Sequence, residues 1–239
     1  MRSAPFATFW LSVLALGLTG LLRAETNPRS IAPPNPARFA KDIAKFDAEE
    51  TSSNPPPRGG IVFTGSSSVR YWKVKEAFLS LPVINRGFGG SVAHDLVFYA
   101  DRVAVRYQPK VLVVYTGGND LHAKMTPKEA LGDYTAFVTY VHEKLPKTLV
   151  IVNSVKPAPV RASEVGQVKE LNQLLEAWCK ERPWITWVDS AAYLYESDGK
   201  LKVDLYRPDH LHLNEAGYAQ WNELFRPLLE KTWAEAQRE

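Results

Sequence analysis

Serine, aspartate and histidine residues occur in this sequence at positions where they could together carry out acyl transfer. Three serines, Ser66–Ser68, follow Gly65 and an apolar run, and Asp209 lies three residues before His212. A serine hydroxyl is a weak nucleophile until a neighbouring base takes its proton. If residues 209–212 form a helical turn, Asp209 and His212 share one face. The aspartate could then orient the imidazole as that base, as in a catalytic triad.

Acyl transfer also needs hydrogen-bond donors for the negative charge that develops on the carbonyl oxygen. Gly90 and Asn119 lie in two glycine-rich segments, 85–91 (NRGFGGS) and 116–120 (TGGND). The backbone N–H of Gly90 and the side-chain amide of Asn119 could form such an oxyanion hole. Chemistry alone leaves open which of the three serines would be the nucleophile.

Two alternative interpretations of these segments fail on spacing. GFGGSV (87–92) resembles a dinucleotide-binding fingerprint, but Val92 stands in place of the third glycine. His210 and His212 form an H-x-H pair that could bind a metal, yet the remaining histidines show no matching spacing. We therefore expect neither a cofactor nor a metal, and we expect His210 to be a turn residue. The only cysteine, Cys179, is expected on a helix as a small apolar residue.

Short apolar runs alternate with amphipathic stretches along most of the chain. The runs predict five buried strands, at 61–64, 82–85, 111–115, 149–152 and 185–188. The amphipathic stretches predict helices at about 91–106, 127–145, 164–181 and 214–236. This alternation predicts an α/β fold with three layers, α/β/α, around a five-stranded parallel sheet. Functional residues gather at the carboxyl ends of such strands, where Ser67, Gly90 and Asn119 would lie.

The N-terminal part of the chain differs in composition from the rest. Residues 1–24 combine Arg2, an apolar run and a small residue, Ala24, which is typical of a cleaved signal peptide and predicts export to the periplasm or the medium. The alternative is an uncleaved membrane anchor. Residues 25–57 are predicted to form a Pro-rich linker and an N-terminal helix at 38–50.

The composition excludes some classes of partner. The chain is 45% hydrophobic and 23% charged, which is ordinary for a globular domain. Cleavage after Ala24 would remove two arginines and lower the formal net charge from +3 to +1. No Lys/Arg cluster interleaves with aromatic residues, so no nucleic-acid partner is expected. After signal cleavage we expect no stable association with a membrane. The oligomeric state cannot be predicted from these patterns.

Four segments, taken in order, resemble the SGNH or GDSL-type esterases and lipases. They are TGSSSVRYW (64–72), NRGFGGS (85–91), TGGND (116–120) and DHLHLN (209–214). The resemblance covers about residues 58–236 and is most similar in style to the branch of the platelet-activating-factor acetylhydrolase catalytic subunits. It implies that residues 58–239 form an SGNH hydrolase domain of flavodoxin-like architecture.

The resemblance also implies a role for each site residue. Ser67 would be the nucleophile, and Asp209 and His212 would complete the triad. The oxyanion hole would comprise the N–H groups of Ser67 and Gly90 and the side chain of Asn119. The chain departs from the family at Ser66, where the first segment usually has aspartate; this changes local hydrogen bonding rather than the triad.

The expected activity is hydrolysis of a carboxylic ester. No large apolar lid is inserted between the strands, which favours a short acyl group, acetyl above all, on a carbohydrate or small molecule. Tyr71, Trp72, Phe88 and His122 lie near predicted strand ends and could face the alcohol part, although aromatic residues there more often pack in the core. A thioesterase or lysophospholipase with the same triad, and a silent carbohydrate-binding domain, are the alternatives.

Overall fold

The computed structural model of the protein describes residue 32 and residues 34–238. The predicted signal peptide, residues 1–24, therefore lies outside the described residues, as does part of the predicted linker. Within the described part of the chain, no helix has the length and apolar character needed to cross a membrane.

Five strands form one parallel sheet, as the sequence predicts. They are β1 (Ile61–Gly65), β2 (Val83–Gly87), β3 (Val111–Tyr115), β4 (Leu149–Asn153) and β5 (Ile185–Val188). Their order across the sheet is β2-β1-β3-β4-β5, and all neighbouring pairs are parallel. The predicted strands agree to within a residue or two at each end. The α/β/α fold is confirmed.

Alternate residues of each strand face two separate cores, because successive side chains of a strand point to opposite faces. Val62 and Leu112 pack into one core, and Phe63 and Val113 pack into the other. Both faces are therefore apolar, which explains why the strands appear in the sequence as continuous apolar runs.

The helices cover both faces of this sheet. They are α1 (Ala40–Glu50), α2 (Ser67–Arg70), α3 (Val74–Ala77), α4 (Ala93–Phe98), α5 (Ala100–Val103), α6 (Gly118–His122), α7 (Pro127–Lys144), α8 (Val165–Lys180) and α9 (Glu215–Ala236). Thr126 caps α7 through a capping box with Glu129, and Pro127 is its first residue. Cys179 is buried near the end of α8.

The helix predicted at 91–106 is not continuous. The backbone leaves helical geometry at Tyr99 (φ −101°, ψ 15°) and again at Ala104 (φ −140°, ψ −66°), which separates α4, α5 and a final 3₁₀ turn. Tyr99 is fixed by tertiary contacts, since its hydroxyl donates to Pro36 O and its ring packs against Phe88. Amphipathic spacing carries no information on such tertiary contacts, so the length predicted for this helix was too great.

The segment 36–50 packs onto the domain. Phe39 and Ile43 are buried in the core that also contains Val62. Arg38 pairs with the buried Asp95 at 2.6 Å. Arg86 pairs with Glu49 of α1 at 2.8 Å. This segment is thereby joined to β2 through Arg86 and to α4 through Asp95.

Candidate active site

The strand order places a crevice at the carboxyl ends of β1 and β3. The chain passes from β1 to β2 on one side and then returns to β3 on the other side of β1. Ligands of open α/β sheets bind at such a reversal of strand order. Ser67 follows β1, Gly90 follows β2, and Asn119 follows β3.

The turn that carries the serines is packed directly against the neighbouring strand. Gly65 ends β1 with φ +143°, and a Cβ there would lie 1.8 Å from the carbonyl oxygen of Tyr115. Only glycine can occupy this position. The next residue, Ser66, donates its N–H to the same oxygen at 3.1 Å, and its own carbonyl accepts from Arg70 at 3.0 Å. The chain therefore turns from strand to helix within one residue, and Ser67 begins α2.

The structure distinguishes the three serines. Ser67 is half-buried, and its Oγ lies 3.0 Å from His212 Nε2. Ser66 and Ser68 are only 6% and 4% exposed. The carbonyl of Ser68 accepts a hydrogen bond from the hydroxyl of Tyr218 at 2.8 Å. Among the three, Ser67 alone has its hydroxyl on the imidazole. Ser66, in the place of the usual aspartate, makes no side-chain cap to α2.

Asn85 fixes the end of α2. The sequence pattern around Asn85 did not predict this role. Its Nδ2 donates to the carbonyls of Val69 and Trp72 at 2.6 and 2.9 Å. Its Oδ1 accepts from Gly87 N at 2.8 Å. Both ends of the short helix that begins with Ser67 are thus tied to strands of the sheet.

Asp209 and His212 meet in a turn, not in the helical turn that their spacing suggested. Asp209 Oδ1 accepts the backbone N–H groups of Leu211 and His212 at 2.9 and 3.0 Å. Its Oδ2 lies 2.7 Å from His212 Nδ1. His210 occupies the left-handed region, with φ +51°, and its N–H donates to Arg207 O. A side-chain-to-backbone turn of this kind brings residues three apart together without a helix.

The electrostatics of this turn suit an orienting carboxylate. Desolvation would raise the pKa of Asp209, but the hydrogen bonds from the imidazole and from the two backbone N–H groups outweigh it and hold the pKa well below its usual range. Asp209 is therefore ionised at neutral pH. It accepts from Nδ1–H of His212, which leaves Nε2 to accept the proton of Ser67.

Asn119 joins the loop after β2 to the helix after β3. Its Nδ2 donates to Ser91 O at 3.0 Å, next to Gly90. Gly90 has φ +83° and lies on the surface, and nothing lies within 4 Å of a Cβ placed there. A Cβ on its neighbour Gly89 would be 3.8 Å from Ser67 Cβ, so this loop borders Ser67. Ser67 is the first residue of α2, so its backbone N–H has no acceptor within that helix.

Asp120 gives the same loop a second attachment. Its side chain is fully buried, and Oδ1 accepts the N–H of Ala93 at 2.8 Å. Burial raises the pKa of Asp120 to about 7, with a further contribution from the neighbouring Asp133. The loop that contains Gly90 is therefore held by consecutive residues of α6, Asn119 and Asp120.

Sequence reasoning missed two cationic residues after β4. Arg161 donates from Nη1 to Gly118 O at 3.0 Å, and from both Nη1 and Nη2 to Asn119 Oδ1 at 3.2 and 3.3 Å. Lys156 donates from Nζ to Leu211 O, inside the turn of Asp209 and His212. Burial lowers the pKa of Lys156 to about 7. The rule about strand ends, applied to β4, would direct attention to the segment that follows this strand, but not to the contacts that these two residues make.

The H-x-H pair does not form part of a larger cluster of ligands. His212 contacts Ser67 and Asp209, and His210 is exposed in the turn. Across residues 34–238, no group of three or more His, Cys, Asp or Glu side chains could hold a metal ion. Trp72 and Phe88 are buried in the cores, whereas Tyr71 is 38% exposed and its ring contacts that of His212, with centroids 5.0 Å apart.

Two cavities of very different size lie in this part of the molecule, one lined by His212 and the other by Tyr71. The smaller has a volume of about 30 Å³ and is lined by Ser67, Asn119, Lys156, Arg161, Leu211 and His212. The larger is an open groove of about 470 Å³, lined by Tyr71, Lys73, Glu76, Arg207, Glu215 and Asn222. Tyr71 lines this groove, and its ring contacts that of His212.

The family follows from comparison with known proteins. Residues 63–220 match the family model of the GDSL-like lipase/acylhydrolase family. The chain therefore belongs to this family, and it is a carboxylic ester hydrolase. A comparison with curated proteins gives no significant match.

Solved structures show the same fold. One is a protein from Streptococcus pneumonia described as a candidate platelet activating factor, with 24% identity, a TM-score of 0.72 and coverage of 81% of this chain and 93% of that chain. Another is a GDSL-like lipase from Bacteroides thetaiotaomicron, with 21% identity, a TM-score of 0.66 and coverage of 82% and 98%. A third is an acetylxylan esterase from Geobacillus stearothermophilus, with 14% identity, a TM-score of 0.57 and coverage of 72% and 95%.

Proposed function

We propose that the protein hydrolyses esters of short acyl groups, acetyl above all, attached to a larger alcohol such as a carbohydrate. The observation that carries this proposal is the difference in size between the cavity at Ser67 and His212 and the groove that begins at Tyr71. The cavity beside Ser67 is more than ten times smaller than the open groove, which suits a short acyl group on Ser67 better than a long chain.

The assignment of the two cavities follows from the proton transfers. In acyl transfer by a triad, the imidazole takes the nucleophile's proton and then gives it to the leaving alcohol. The alcohol oxygen must therefore lie next to His212 Nε2, and the rest of the alcohol can extend past Tyr71 into the open groove. The acyl group stays on Ser67, beside the small cavity.

The proposed mechanism uses Ser67, His212, Asp209, Gly90 and Asn119. His212 Nε2 accepts the hydroxyl proton of Ser67, and Oγ attacks the ester carbonyl. The N–H groups of Ser67 and Gly90 and the amide of Asn119 donate to the oxyanion. Collapse of the tetrahedral intermediate expels the alcohol, which takes the proton from His212. Water, deprotonated by His212, then attacks the acyl-enzyme and releases the acid.

A substrate panel tests this proposal. It compares p-nitrophenyl acetate, butyrate and octanoate, an acetylated xylan fragment, an acyl-CoA and a lysophospholipid, each with wild-type protein and with Ser67→Ala. We expect kcat/KM to fall steeply from acetate to octanoate, and acetate release from the acetylated sugar. Higher kcat/KM for octanoate, the acyl-CoA or the lysophospholipid would overturn the short-acyl proposal.

The acetylated sugar is included because an acetylxylan esterase shares this fold, although that likeness is of the fold alone. If a fluorophosphonate labels the protein but no ester of the panel is hydrolysed, the substrate belongs to a class that the panel does not contain. Absence of both labelling and turnover would favour the silent binding domain.

We also propose that the protein is exported, on the basis of residues 1–24. Expression of the full chain followed by cell fractionation and N-terminal sequencing tests this. A mature N-terminus near residue 25 in the periplasm or medium is expected, and intact protein in the membrane fraction would favour the anchor.

A further inference from the structure

The guanidinium of Arg161 is directed at the amide of Asn119. Two of its nitrogens donate to Asn119 Oδ1, and Nη1 also donates to the carbonyl of Gly118, the preceding residue. Arg161 therefore contacts both the side chain and the backbone at the start of α6. No step of the mechanism above uses this residue.

These contacts determine how the amide can donate. An asparagine amide has one acceptor oxygen and two N–H donors in one plane. With Oδ1 on the cation and one N–H on Ser91 O at 3.0 Å, the amide cannot flip, and its second N–H has a fixed direction. A cation on the oxygen also polarises the group, because hydrogen bonds in a chain strengthen one another at low local dielectric.

The segment that carries Arg161 is itself well anchored. It is a 3₁₀ segment, Pro159–Glu164, whose backbone is non-helical at Arg161 (φ −116°, ψ 37°). Glu164 is buried, and its carboxylate lies 2.8 Å from His122 Nδ1. Val160 N donates to His210 O, within the turn of the proposed base. One segment thus contacts both the proposed oxyanion hole and the turn that carries the proposed base.

The charges around Arg161 are consistent with a fixed cation. Burial lowers its pKa, and the nearby carboxylate of Glu164 opposes this. Arginine stays protonated in proteins in any case. The guanidinium is therefore a permanent positive charge behind Asn119.

We propose that Arg161 is a positioning residue that orients and polarises the Asn119 amide for binding the oxyanion. This proposal rests on the proposed function. It assigns to Arg161 no contact with the substrate: its effect on the rate passes through Asn119. It requires that Arg161 lose its importance when the Asn119 amide is absent.

A double-mutant cycle tests that requirement. Arg161→Met keeps the length of the side chain but removes its charge and its donors. Wild type, Arg161→Met, Asn119→Ala and the double variant are compared on p-nitrophenyl acetate. Loss of one oxyanion donor costs about 10²–10³-fold in kcat. We expect Arg161→Met to lower kcat by roughly 10-fold or more, with KM changed less than about 2-fold, and to cost nearly nothing further in the Asn119→Ala background.

The controls separate this role from a general loss of structure. Arg182 lies in the loop before β5 and also donates to a backbone carbonyl, that of Trp178. Arg182→Met should leave kcat unchanged. Arg161→Lys keeps the charge with fewer donors and should restore part of the loss. If Arg161→Met does not fold, the comparison of Arg161→Lys with wild type in both backgrounds gives the same test.

The outcomes are distinct from those for the proposed function. Equal losses from Arg161→Met with and without the Asn119 amide, or no loss of kcat at all, would overturn the positioning role. A Ser67→Ala variant with wild-type activity would instead overturn the proposed function, whatever the result for Arg161.

Discussion

The turn that carries Ser67 and the turn that carries His212 are held in place in opposite ways. The first lies at the end of β1, and close backbone packing shapes its start: Gly65 lies against Tyr115 O, and a Cβ on Gly87 would be 2.4 Å from Arg70 N. The second lies outside the sheet, and the side chain of Asp209 is 47% exposed. Hydrogen bonds, chiefly those of the Asp209 side chain to Leu211 N and His212 N, hold its shape.

This difference has a consequence for how each turn tolerates change. A turn shaped by close backbone contact cannot accept a larger residue without moving the sheet. A turn shaped by a few hydrogen bonds can lose its catalytic function through a substitution that leaves the fold intact. Substitutions in the first turn should therefore act on stability, and those in the second on the catalytic rate.

The largest effect on stability is expected from Gly65→Ala. The added Cβ would meet Tyr115 O at 1.8 Å, and φ of +143° is unfavourable for alanine. We expect a loss of unfolding free energy above about 4 kcal/mol, measured by denaturant titration, or failure to fold.

Gly132→Ala provides the matched control for that substitution. Gly132 lies within α7, and a Cβ there has nothing within 4 Å. We expect this substitution to raise the free energy of unfolding by about 0.5–1 kcal/mol. Similar effects of the two changes would contradict the contrast between the turns.

Asp209→Asn should reduce activity strongly and stability little. The asparagine Oδ1 can still accept from Leu211 N and His212 N, so the turn keeps its shape. The amide cannot hold His212 in the required tautomer or stabilise its cation. We expect kcat to fall by up to about 10⁴-fold, as in other triads. A large loss of unfolding free energy with a small loss of kcat would reverse our interpretation.

Lys156→Met should change how stability depends on pH. Burial lowers the pKa of Lys156 from its ordinary value of 10.5 to about 7, and the nearby Arg161 lowers it further while Asp209 opposes this. Between these two pH values the unfolded chain binds the extra proton and the folded chain does not. Stability contributed by this site therefore rises with pH across that window.

The measurement for Lys156 is the melting temperature of wild type and Lys156→Met at several pH values from 7 to 10. Relative to the variant, the wild type should gain stability as pH rises. A constant or decreasing difference would show that folding does not lower the pKa of Lys156.

The smallest effect is expected at His210. It is exposed and has φ +51°, a conformation that costs a residue other than glycine about 1–2 kcal/mol. His210→Gly should leave kcat within about 2-fold and stability unchanged or slightly higher. A large loss of kcat would mean that His210 contacts the substrate.

The sequence predicted the sheet well because each strand is buried on both faces. Runs such as Val111–Tyr115 have no polar interruptions, so their limits are clear. The break at Tyr99 was not predicted because it depends on Pro36 and Phe88, which are distant along the chain. Helical periodicity describes local spacing and carries no information on such contacts.

The site was predicted in part. Ser67, Asp209 and His212 were identified by motif, and the structure brings their side chains together. Arg161 and Lys156 were missed because they act on carbonyl and amide oxygens of other segments, through contacts that no local pattern encodes. Their roles are visible only once β4 lies beside β3.

We propose that Ser67, and neither neighbouring serine, is the nucleophile activated by His212. Treating wild type, Ser67→Ala and His212→Ala with a fluorophosphonate, and then locating the adduct by peptide mass spectrometry, tests it most directly. We predict an adduct on Ser67 in the wild type, none in Ser67→Ala, and much slower labelling of His212→Ala. An adduct on Ser66 or Ser68, or unchanged labelling of Ser67→Ala, would contradict the account.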